Sequence, residues 1–392
     1  MTARLLTVLA LLIFPAIVQA QEFVVTFGGD VNFARSRQSP RPDSVVKSGV
    51  HSIVQLAENL ARDWDGDVNF INVETVVSDR RDLSALGKTF VFRSHPASLE
   101  YLMELGVNAF SLANNHAQDY GYRGLAETLK HFQAAAETNE IVFAGLGDFS
   151  TAFRPQVQRI NGFDVALTAL TFGSRAFDPR ADRVGVLRVS NDEHLDLVIQ
   201  LMARTKADIK IMSFHMGTEN QIVPNSGQRA LYRRMIEEAK ADLVLVHHPH
   251  VVRPVEVYGE ENAAVYYSLG NLLFIGGANK DFEPTGRDYG LVGKAYFYRT
   301  DAGLSLSAIE AAPYKGVHLS PKRLDGAAFT RRIDHLNNLS RTSLGEGAAR
   351  FTVLPGSRPR AVQCLGGPYG RKSEALCCGL DPKAMCHLPD LM

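Results

Sequence analysis

Three histidines lie close together in the segment His247-His248-Pro249-His250, directly after an apolar run at residues 243–246. That run has the composition of a buried strand. Histidine is the commonest metal ligand in proteins, and packing alone is a poor explanation for three of them beside a buried strand. Alternate residues of an extended segment lie on one face, so His248 and His250 are predicted to reach one metal site together.

Four more groups of polar residues follow apolar, strand-like runs. They are Gly28-Gly29-Asp30-Val31-Asn32, Asn72-Val73-Glu74, Asn114-Asn115-His116, and His215 in the segment Ser213-Phe214-His215-Met216-Gly217-Thr218-Glu219. Taken singly, each group has an ordinary alternative, such as a turn, a helix cap or a surface loop. In open α/β sheets, however, sites lie just beyond the carboxyl ends of strands, so the repeated pattern favours one shared site.

The combined set is rich in oxygen and nitrogen donors and contains no thiolate. Such donors suit hard or borderline divalent ions such as Mn, Fe or Zn. Together the groups provide enough ligands for two ions about 3.5–4 Å apart, the arrangement of many phosphatases and nucleases. A shared carboxylate could bridge the ions, and a histidine at the edge could protonate or stabilise a leaving oxygen.

Other functional classes receive no support from the sequence. The chain has no G-x-S-x-G elbow, no G-x-x-x-x-G-K-S/T loop and no H-E-x-x-H helix. The hydrophobic share of 45% is that of a globular protein. The 42 basic and 42 acidic residues balance, which gives no electrostatic reason to expect nucleic acid as a partner.

The elements that must position these groups alternate along the chain from residue 23 onward. Such alternation predicts an α/β domain with a largely parallel sheet. Three later β-rich runs are predicted to pair antiparallel in a second sheet packed on the first. The early strand-like runs are residues 23–27, 68–73, 109–113, 141–144, 165–172, 209–214 and 243–246; the helical runs are residues 54–62, 99–105, 125–132, 195–202 and 231–239; the later β-rich runs are residues 251–258, 264–269 and 291–298.

Residues 1–20 match the pattern of an export signal. Arg4 provides a basic start, residues 5–18 are mostly apolar, and Val18-Gln19-Ala20 places small residues where a signal peptidase cleaves. The alternative is an uncleaved membrane anchor, but the apolar run is shorter than the ~20 residues that a span requires. We therefore expect a mature protein exported to the periplasm or cell surface.

The mature chain is predicted to consist of a main domain, residues 21–314, and a C-terminal appendage, residues 315–392. In an oxidising compartment, four cysteines allow three pairings, among which the sequence does not choose. A zinc site with His387 is the alternative. All four cysteines of the chain lie in the appendage, at Cys364, Cys377, Cys378 and Cys386.

Six segments stand in a characteristic order along the chain. They are Gly29-Asp30, Asn72-Val73-Glu74, the run from Ser111 to Gly121 that contains Asn114-Asn115-His116, His215-Met216-Gly217-Thr218-Glu219, His248-Pro249-His250-Val251, and Ser268-Leu269-Gly270-Asn271. The set resembles the CapA family, the bacterial proteins of capsule or poly-γ-glutamate synthesis, which are related to the calcineurin-like metallophosphoesterases. The resemblance covers residues 23–275. It implies a four-layer α-β-β-α sandwich of two mixed sheets.

The resemblance also implies roles for individual residues. His116 falls where the phosphoesterases keep a catalytic histidine, and Asp30 is expected to serve catalysis with it. His247 is a supporting residue or an alternative ligand, because the register of the final histidine pair is ambiguous. Six residues are predicted to hold the metal ions: Asp30, Glu74, Asn115, His215, His248 and His250. Five more are predicted to support the site: Asn32, Asn72, Asn114, Glu219 and Asn271.

Four features of the sequence depart from the patterns of these families. Asn32 stands where the first phosphoesterase motif usually has histidine, Asn72-Val73-Glu74 replaces a Gly-Asp-x-x-Asp motif, and Met216 replaces a common tryptophan. A glycine is also usual where Val246 or His247 stands. The smaller number of carboxylates leaves open one metal ion instead of two, or a site that binds without turnover.

The resemblance implies an exported protein of capsule or poly-γ-glutamate biosynthesis with a metal-dependent, phosphoesterase-like hydrolase site. The substrate would be a phosphoester or an amide-linked polymer such as poly-γ-glutamate. Other capsule-synthesis proteins at the membrane would be its partners. The alternative is a non-catalytic component that binds the polymer during capsule assembly or export.

Overall fold

A computed structural model describes residues 22–33, 59–172, 175–188, 192–275, 281–282, 285–301, 303–318 and 320–385. The predicted leader and residues Cys386 and His387 lie outside this part of the chain, as does most of the helix predicted at residues 54–62. Among the described helices, none has both the length and the apolar character needed to cross a membrane.

The described residues form 22 strands and seven α-helices. The strands are β1 (Glu22–Asn32), β2 (Val68–Val73), β3 (Val76–Val77), β4 (Arg93–Ser94), β5 (Ala109–Ser111), β6 (Val142–Ala144), β7 (Leu146–Gly147), β8 (Gln156–Ile160), β9 (Phe163–Thr171), β10 (Gly185–Val186), β11 (Ile209–His215), β12 (Leu243–His247), β13 (Val255–Tyr258), β14 (Ala263–Tyr266), β15 (Asn271–Phe274), β16 (Asp281–Phe282), β17 (Thr285–Gly286), β18 (Tyr289–Thr300), β19 (Gly303–Lys315), β20 (Lys322–Arg323), β21 (Thr352–Leu354) and β22 (Arg360–Cys364). The helices are α1 (Pro96–Glu104), α2 (Gly121–Ala136), α3 (Phe149–Ala152), α4 (Asp192–Arg204), α5 (Ser226–Glu237), α6 (Gly326–Leu344) and α7 (Arg371–Cys377).

The first sheet has ten strands, in the order β21-β22-β19-β18-β1-β2-β5-β6, with β15 beside β1 and β20 beside β19. The strands β15, β2, β5 and β6 run parallel to β1. The strands from β18 to β21 pair antiparallel with their neighbours. The sheet is therefore mixed, and its parallel part brings several carboxyl ends to one edge.

The second sheet has six strands, in the order β13-β14-β12-β11-β9-β8. The four strands β9, β11, β12 and β14 are parallel, and β8 and β13 pair antiparallel at the two edges. The prediction that three late β-rich runs pair with one another was partly wrong. β13 and β14 do pair, but β18 joins the first sheet beside β1. Gly293 of β18 leaves room there for the Phe27 ring, which lies 2.2 Å from the place a Cβ would take.

The two sheets pack face to face through their apolar inner faces. Phe23 contacts Phe163 and Phe27 contacts Tyr266, each pair with ring centroids 4.7 Å apart. Alternate residues of a strand point to opposite faces, so the remaining apolar residues of each sheet need a cover on the outside. Helices supply that cover, and the predicted four-layer α-β-β-α sandwich is confirmed.

Helices α2 and α5 illustrate the outer layers. Phe132 of α2 contacts Phe110 of the first sheet at 5.2 Å between ring centroids. Tyr232 of α5 contacts Phe214 of the second sheet at the same separation of 5.2 Å. The start of α5 is fixed by a capping box, because Asn225 and Gln228 each accept the other's backbone N–H.

The C-terminal segment packs on the outer face of the first sheet. β22 pairs with β19 and extends that sheet. The end of α7 contributes Leu376 and Cys377 to an apolar cluster with Val24 and Tyr296. Cys364 and Cys377 form a disulfide, which excludes both sulfurs as ligands of a zinc site.

Candidate metal centre

The predicted ligands come from five strand ends that meet between the two sheets. Asp30 lies near the end of β1, Glu74 just after β2, and Asn115 four residues after β5. His215 ends β11, His247 ends β12, and His248 and His250 follow β12. These strands are parallel neighbours within their sheets, so their carboxyl ends lie side by side, as sites in α/β sheets require.

Asp30 is completely buried and surrounded by donors. Its Oδ1 accepts a hydrogen bond from Asn72 Nδ2 at 2.8 Å, and its Oδ2 accepts one from the His248 backbone N–H at 3.3 Å. The Nδ1 atoms of His247 and His250 lie 3.4 Å from its two oxygens. Burial alone would raise the pKa of Asp30, but contacts with His247 and His250 and the charge of His215 outweigh it and hold that pKa well below its usual value.

Glu74 is equally buried but has no such partners. Neither of its carboxylate oxygens has a hydrogen-bond partner among the described residues. Burial, together with the negative charges of Asp30, Glu219 and Asp119, raises the pKa of Glu74 well above its usual value. An ionised carboxylate that is buried without partners costs free energy unless a positive group binds it.

The surroundings of Glu74 fit such a positive group. Its Oε1 lies 3.5 Å from His215 Nε2 and 3.8 Å from His250 Nε2. Two sets of three residues each place their donor atoms within 4.8 Å of one another, and both sets contain Glu74. The first set adds Asp30 and His215, and the second adds His248 and His250. A carboxylate shared between two ligand sets, with imidazole and carboxylate donors and no thiolate, fits divalent metal ions.

Asn115 completes the predicted ligand group. Its Oδ1 lies 2.8 Å from His215 Nε2, and that nitrogen lies 3.2 Å from His248 Nδ1. Burial lowers the pKa of His215 well below its usual value, and burial with the charge of His250 lowers the pKa of His248 to about 4. Neutral imidazoles are the form that binds metal. All six predicted ligands are therefore brought together.

The backbone of the final histidine pair differs from the prediction. The sequence predicted an extended segment, but β12 ends at His247, and the backbone turns through φ values of 92° at His248 and 56° at His250. Residues other than glycine rarely adopt positive φ, and the strain is tolerated mainly where the surrounding structure fixes it. The turn, rather than strand alternation, brings both rings toward Glu74.

His116 lies at the edge of this cluster. Its Nδ1 is 2.7 Å from Asp119 Oδ2, and its Nε2 is 3.9 Å from Glu74 Oε1. The ring packs against Phe92 with centroids 4.2 Å apart. Burial lowers the pKa of His116, and Asp119 partly opposes that effect. The carboxylate fixes the ring so that Nε2 faces the candidate metal ligands.

Asp119 and Lys88 are functional candidates to which the sequence analysis assigned no role. Asp119 is buried and accepts hydrogen bonds from the Phe92 backbone N–H at 2.6 Å and from Lys88 Nζ at 2.5 Å. Lys88 Nζ also donates to the Asn115 carbonyl at 2.8 Å. Asp119 follows His116 by three residues, a spacing from which a contact between the two side chains could have been predicted. Lys88 is distant in sequence and carries no local signal.

The predicted supporting residues divide into several roles. Asn72 donates to Asp30 and lies 3.1 Å from His215 Nδ1, while Asn271 Oδ1 lies 2.9 Å from His250 Nδ1. Asn114 donates to the Val73 carbonyl at 2.7 Å and accepts from the His116 N–H at 3.1 Å, so it shapes the turn that carries His116.

The other three supporting residues lie at the margins of the cluster. Asn32 is buried at the end of β1, paired with Phe274 of β15. Glu219 is exposed at the rim, where it accepts a hydrogen bond from Arg287. His247 is fully buried, and its two ring nitrogens have no hydrogen-bond partner among the described residues.

Comparison with known proteins fixes the family. The sequence pattern of the family described as "Bacterial capsule synthesis protein PGA_cap" matches residues 24–275, more than half of the 392 residues. The chain belongs to this family. The matched region contains every predicted site residue, and the resemblance to CapA proteins is thereby confirmed.

Two curated relatives of this capsule synthesis family illustrate the likeness. The chain is 31% identical over 250 residues to "PGA biosynthesis protein CapA" of Bacillus subtilis (strain 168), which covers 64% of this chain and 62% of that protein. It is 27% identical over 263 residues to "Capsule biosynthesis protein CapA" of Bacillus anthracis, which covers 66% of this chain and 60% of that protein. The chain thus spans about three fifths of the length of these relatives.

Solved structures show a more distant likeness. A hypothetical protein from Thermus thermophilus aligns with a TM-score of 0.44 at 16% identity, over 74% of this chain and 99% of that one. The calcineurin-like phosphoesterase YfkN from Bacillus subtilis aligns with a TM-score of 0.40 at 12% identity, over 81% of this chain and 97% of that one.

Proposed function

We propose that this protein is a metal-dependent, phosphoesterase-like hydrolase of capsule or poly-γ-glutamate biosynthesis. One observation carries the proposal: two sets of ligand residues share Glu74, a buried carboxylate whose oxygens have no hydrogen-bond partner among the described residues. The shared carboxylate favours two divalent ions, and the nitrogen and oxygen donors favour Mn, Fe or Zn. When bound, such ions polarise a phosphoryl or carbonyl oxygen and acidify water.

The protein's own residues would bind, orient and transfer protons. Asp30, Glu74, Asn115, His215, His248 and His250 would hold the ions. His116 Nε2 would exchange a proton with the leaving oxygen or nitrogen, because Asp119 occupies Nδ1 and leaves Nε2 facing the cluster. Lys88 would hold Asp119 in place through its contact with Oδ1.

The substrate is proposed to be a phosphoester or an amide-linked polymer of the poly-γ-glutamate type. The relatives named for poly-γ-glutamate and capsule biosynthesis support the polymer, and the ligand set supports hydrolysis. Other capsule-synthesis proteins at the membrane are the proposed partners.

Export is part of the proposal. The leader-like sequence of residues 1–20 supports it. The Cys364–Cys377 disulfide also supports it, since disulfides persist in oxidising compartments. Mass spectrometry of the protein recovered from fractionated cells would test this, with a mature chain that begins at Gln21 as the expected result.

The metal centre is tested by elemental analysis of the purified full chain after reconstitution with Mn, Fe or Zn. Near-stoichiometric metal in the wild type and its loss in His248→Ala/His250→Ala are expected. His335→Ala is the matched control, because His335 lies on α6 and belongs to none of the groups of potential metal ligands among the described residues. Equal metal in the wild type and the double variant would contradict the metal centre.

Turnover is tested with phosphoester and γ-glutamyl substrates. His116→Ala should abolish hydrolysis while the metal stays bound, because His116 is not among the ligands of either set. If the wild-type protein holds metal and binds poly-γ-glutamate but hydrolyses neither substrate class, the hydrolase proposal is wrong. The protein would then be a polymer-binding component of capsule assembly or export.

A further inference from the structure

A second cluster of charged side chains surrounds a cavity in the first sheet, with a volume of about 180 Å³. Among the described residues, eight side chains line it and all are charged, five of them arginine or lysine and three aspartate or glutamate. One of them, Lys294, pairs across the sheet with Thr26, which precedes Asp30 by four residues. Four residues of strand span about 13 Å, so the cavity is separate from the metal centre.

The carboxylates of the cavity already have cationic partners. Asp63 binds Arg323 at 2.5 Å and Arg358 at 2.8 Å. Glu310 accepts from Arg360 Nε at 2.9 Å. The third carboxylate of the lining also has a partner, since Asp65 accepts a hydrogen bond from Lys294. Each carboxylate is therefore paired, and the lining retains two positive charges in excess, five minus three.

Glu310 stays ionised in this setting. Burial would raise its pKa, but hydrogen bonds from Arg360 and the charges of Lys294 and Arg323 outweigh burial and lower the pKa of Glu310. Protonation of this carboxylate therefore does not change the charge balance near neutral pH, and the excess of two cations stands.

Two of the five cations are buried, and each of these two is paired with a carboxylate. The side chain of Arg323 is only 9% exposed, and its Nε has no hydrogen-bond partner among the described residues. Lys294 is similarly enclosed, at 7% exposure. The Nε of Arg323 is thus a buried donor without an acceptor, which costs free energy until an acceptor binds it. Arg358 and Arg360 are 39% and 37% exposed, so they form an opening to solvent.

The cavity belongs to a part of the chain beyond the family match. That match ends at residue 275. Four of the five cations follow it: Lys294, Arg323, Arg358 and Arg360. The C-terminal segment, residues 315–392, thus contributes three of these charges to the outer face of the first sheet, and β18 contributes Lys294.

We propose that this cavity is a binding site for a small dianion that carries carboxylate or phosphate groups. Two negative charges would balance the excess of two cations. Guanidinium groups offer paired donors that match the oxygens of carboxylate and phosphate. The volume of about 180 Å³ far exceeds the ~10–15 Å³ needed for one water, which leaves room for such an ion. The site is independent of the proposed hydrolase activity.

The test uses the full-length protein after metal removal with a chelator, so that the metal centre does not contribute. Binding of inorganic phosphate and of glutarate is measured by isothermal titration calorimetry at fixed ionic strength. Saturable binding of at least one anion is expected, and Arg358→Gln should weaken it tenfold or more. Arg350→Gln is the matched control, because Arg350 is exposed nearby and does not line the cavity.

The two anions distinguish the chemical source of the ligand. Binding of phosphate alone identifies a phosphate site, and binding of glutarate alone identifies a carboxylate site. Arg62→Gln serves as a second variant, because Arg62 is exposed and its replacement should not disturb folding. The proposal is overturned if neither anion binds, or if the Arg358 and Arg62 variants bind as tightly as the Arg350 control.

Discussion

Glu74 distinguishes the candidate centre from a set of well-paired buried polar residues. Asp30 has donors on both oxygens, whereas both oxygens of Glu74 are buried and lack a hydrogen-bond partner among the described residues. Buried polar atoms in folded proteins are nearly always satisfied, so such an exception calls for a ligand. Metal ions held by the two ligand sets would act as binding partners for Glu74 and for the histidines around it.

The Glu74→Gln variant follows from this contrast. The amide keeps the shape but removes the charge that a cation needs, so metal affinity should fall by at least ~10-fold. Metal-free Glu74→Gln should melt at a temperature equal to or above that of the metal-free wild type, because a buried unpaired carboxylate has been removed. Elemental analysis and thermal melting with and without chelator would check both. Metal content equal to that of the wild type would rule out Glu74 as a ligand.

Asp119 is expected to act through His116. Asp119→Asn should lower kcat by about 10²-fold or more, since it removes the carboxylate that orients the ring and stabilises its charged form. KM and metal content should change little, because Asp119 belongs to neither ligand set. Steady-state kinetics with elemental analysis would measure the effect. If kcat is unchanged, the proton-transfer role of His116 loses its structural support.

Among the elements, β1 and β15 approach each other unusually closely where the site begins. A Cβ on Gly29 would lie 1.9 Å from the Gly270 carbonyl oxygen. Because Gly29 has no side chain, the end of β1 can lie directly beside β15, with Asp30 paired to Asn271. The two glycines thus bring a ligand and the partner of His250 together.

Gly29→Ala should therefore disturb both the fold and the site. The backbone cannot yield as a flexible side chain would, so a loss of about 1–3 kcal/mol of unfolding free energy is expected, together with reduced metal content. Gly259→Ala is the control, because a Cβ there meets nothing within 4 Å. Denaturant unfolding of both variants would measure the difference. Equal stabilities would show that β1 can move away from β15 at no cost.

For the molecule as a whole, the C-terminal segment is part of the folded body rather than a loose extension. It covers Val24 and Tyr296 and closes a disulfide loop from Cys364 to Cys377, 13 residues apart. A boundary at residue 314 stays a prediction. The segment's strand β22 nevertheless belongs to the same sheet as β1.

Removal of the disulfide should cost stability without touching the metal centre. A loop of this length constrains the unfolded chain by ~3 kcal/mol. Cys364→Ala/Cys377→Ala should therefore lower the free energy of unfolding by about that amount, with metal content unchanged. Denaturant unfolding of the variant and of the wild type, both kept oxidised, would test this. A variant as stable as the oxidised wild type would show that the loop contributes nothing.

The sequence by itself determined the alternation of strands and helices, the family, and the residues that end each strand. These are local properties: apolar periodicity marks an element, and a polar group after it marks a strand end. The six predicted ligands, from Asp30 to His250, are contributed by five strand ends, and they meet because parallel strands in both sheets place their carboxyl ends together.

Only the tertiary structure decided which ends meet and how. The sharing of Glu74 between two ligand sets, the Lys88–Asp119–His116 chain, the place of β18 beside β1 and the Cys364–Cys377 pairing all join distant residues. Strand propensity specifies an element but not its neighbour, and the turn at His248 is held by contacts formed only after both sheets have packed. Long-range packing therefore determined which residues and strands pair with one another. Each pairing is selected by complementary shape and charge, and no local stretch of sequence contains that information.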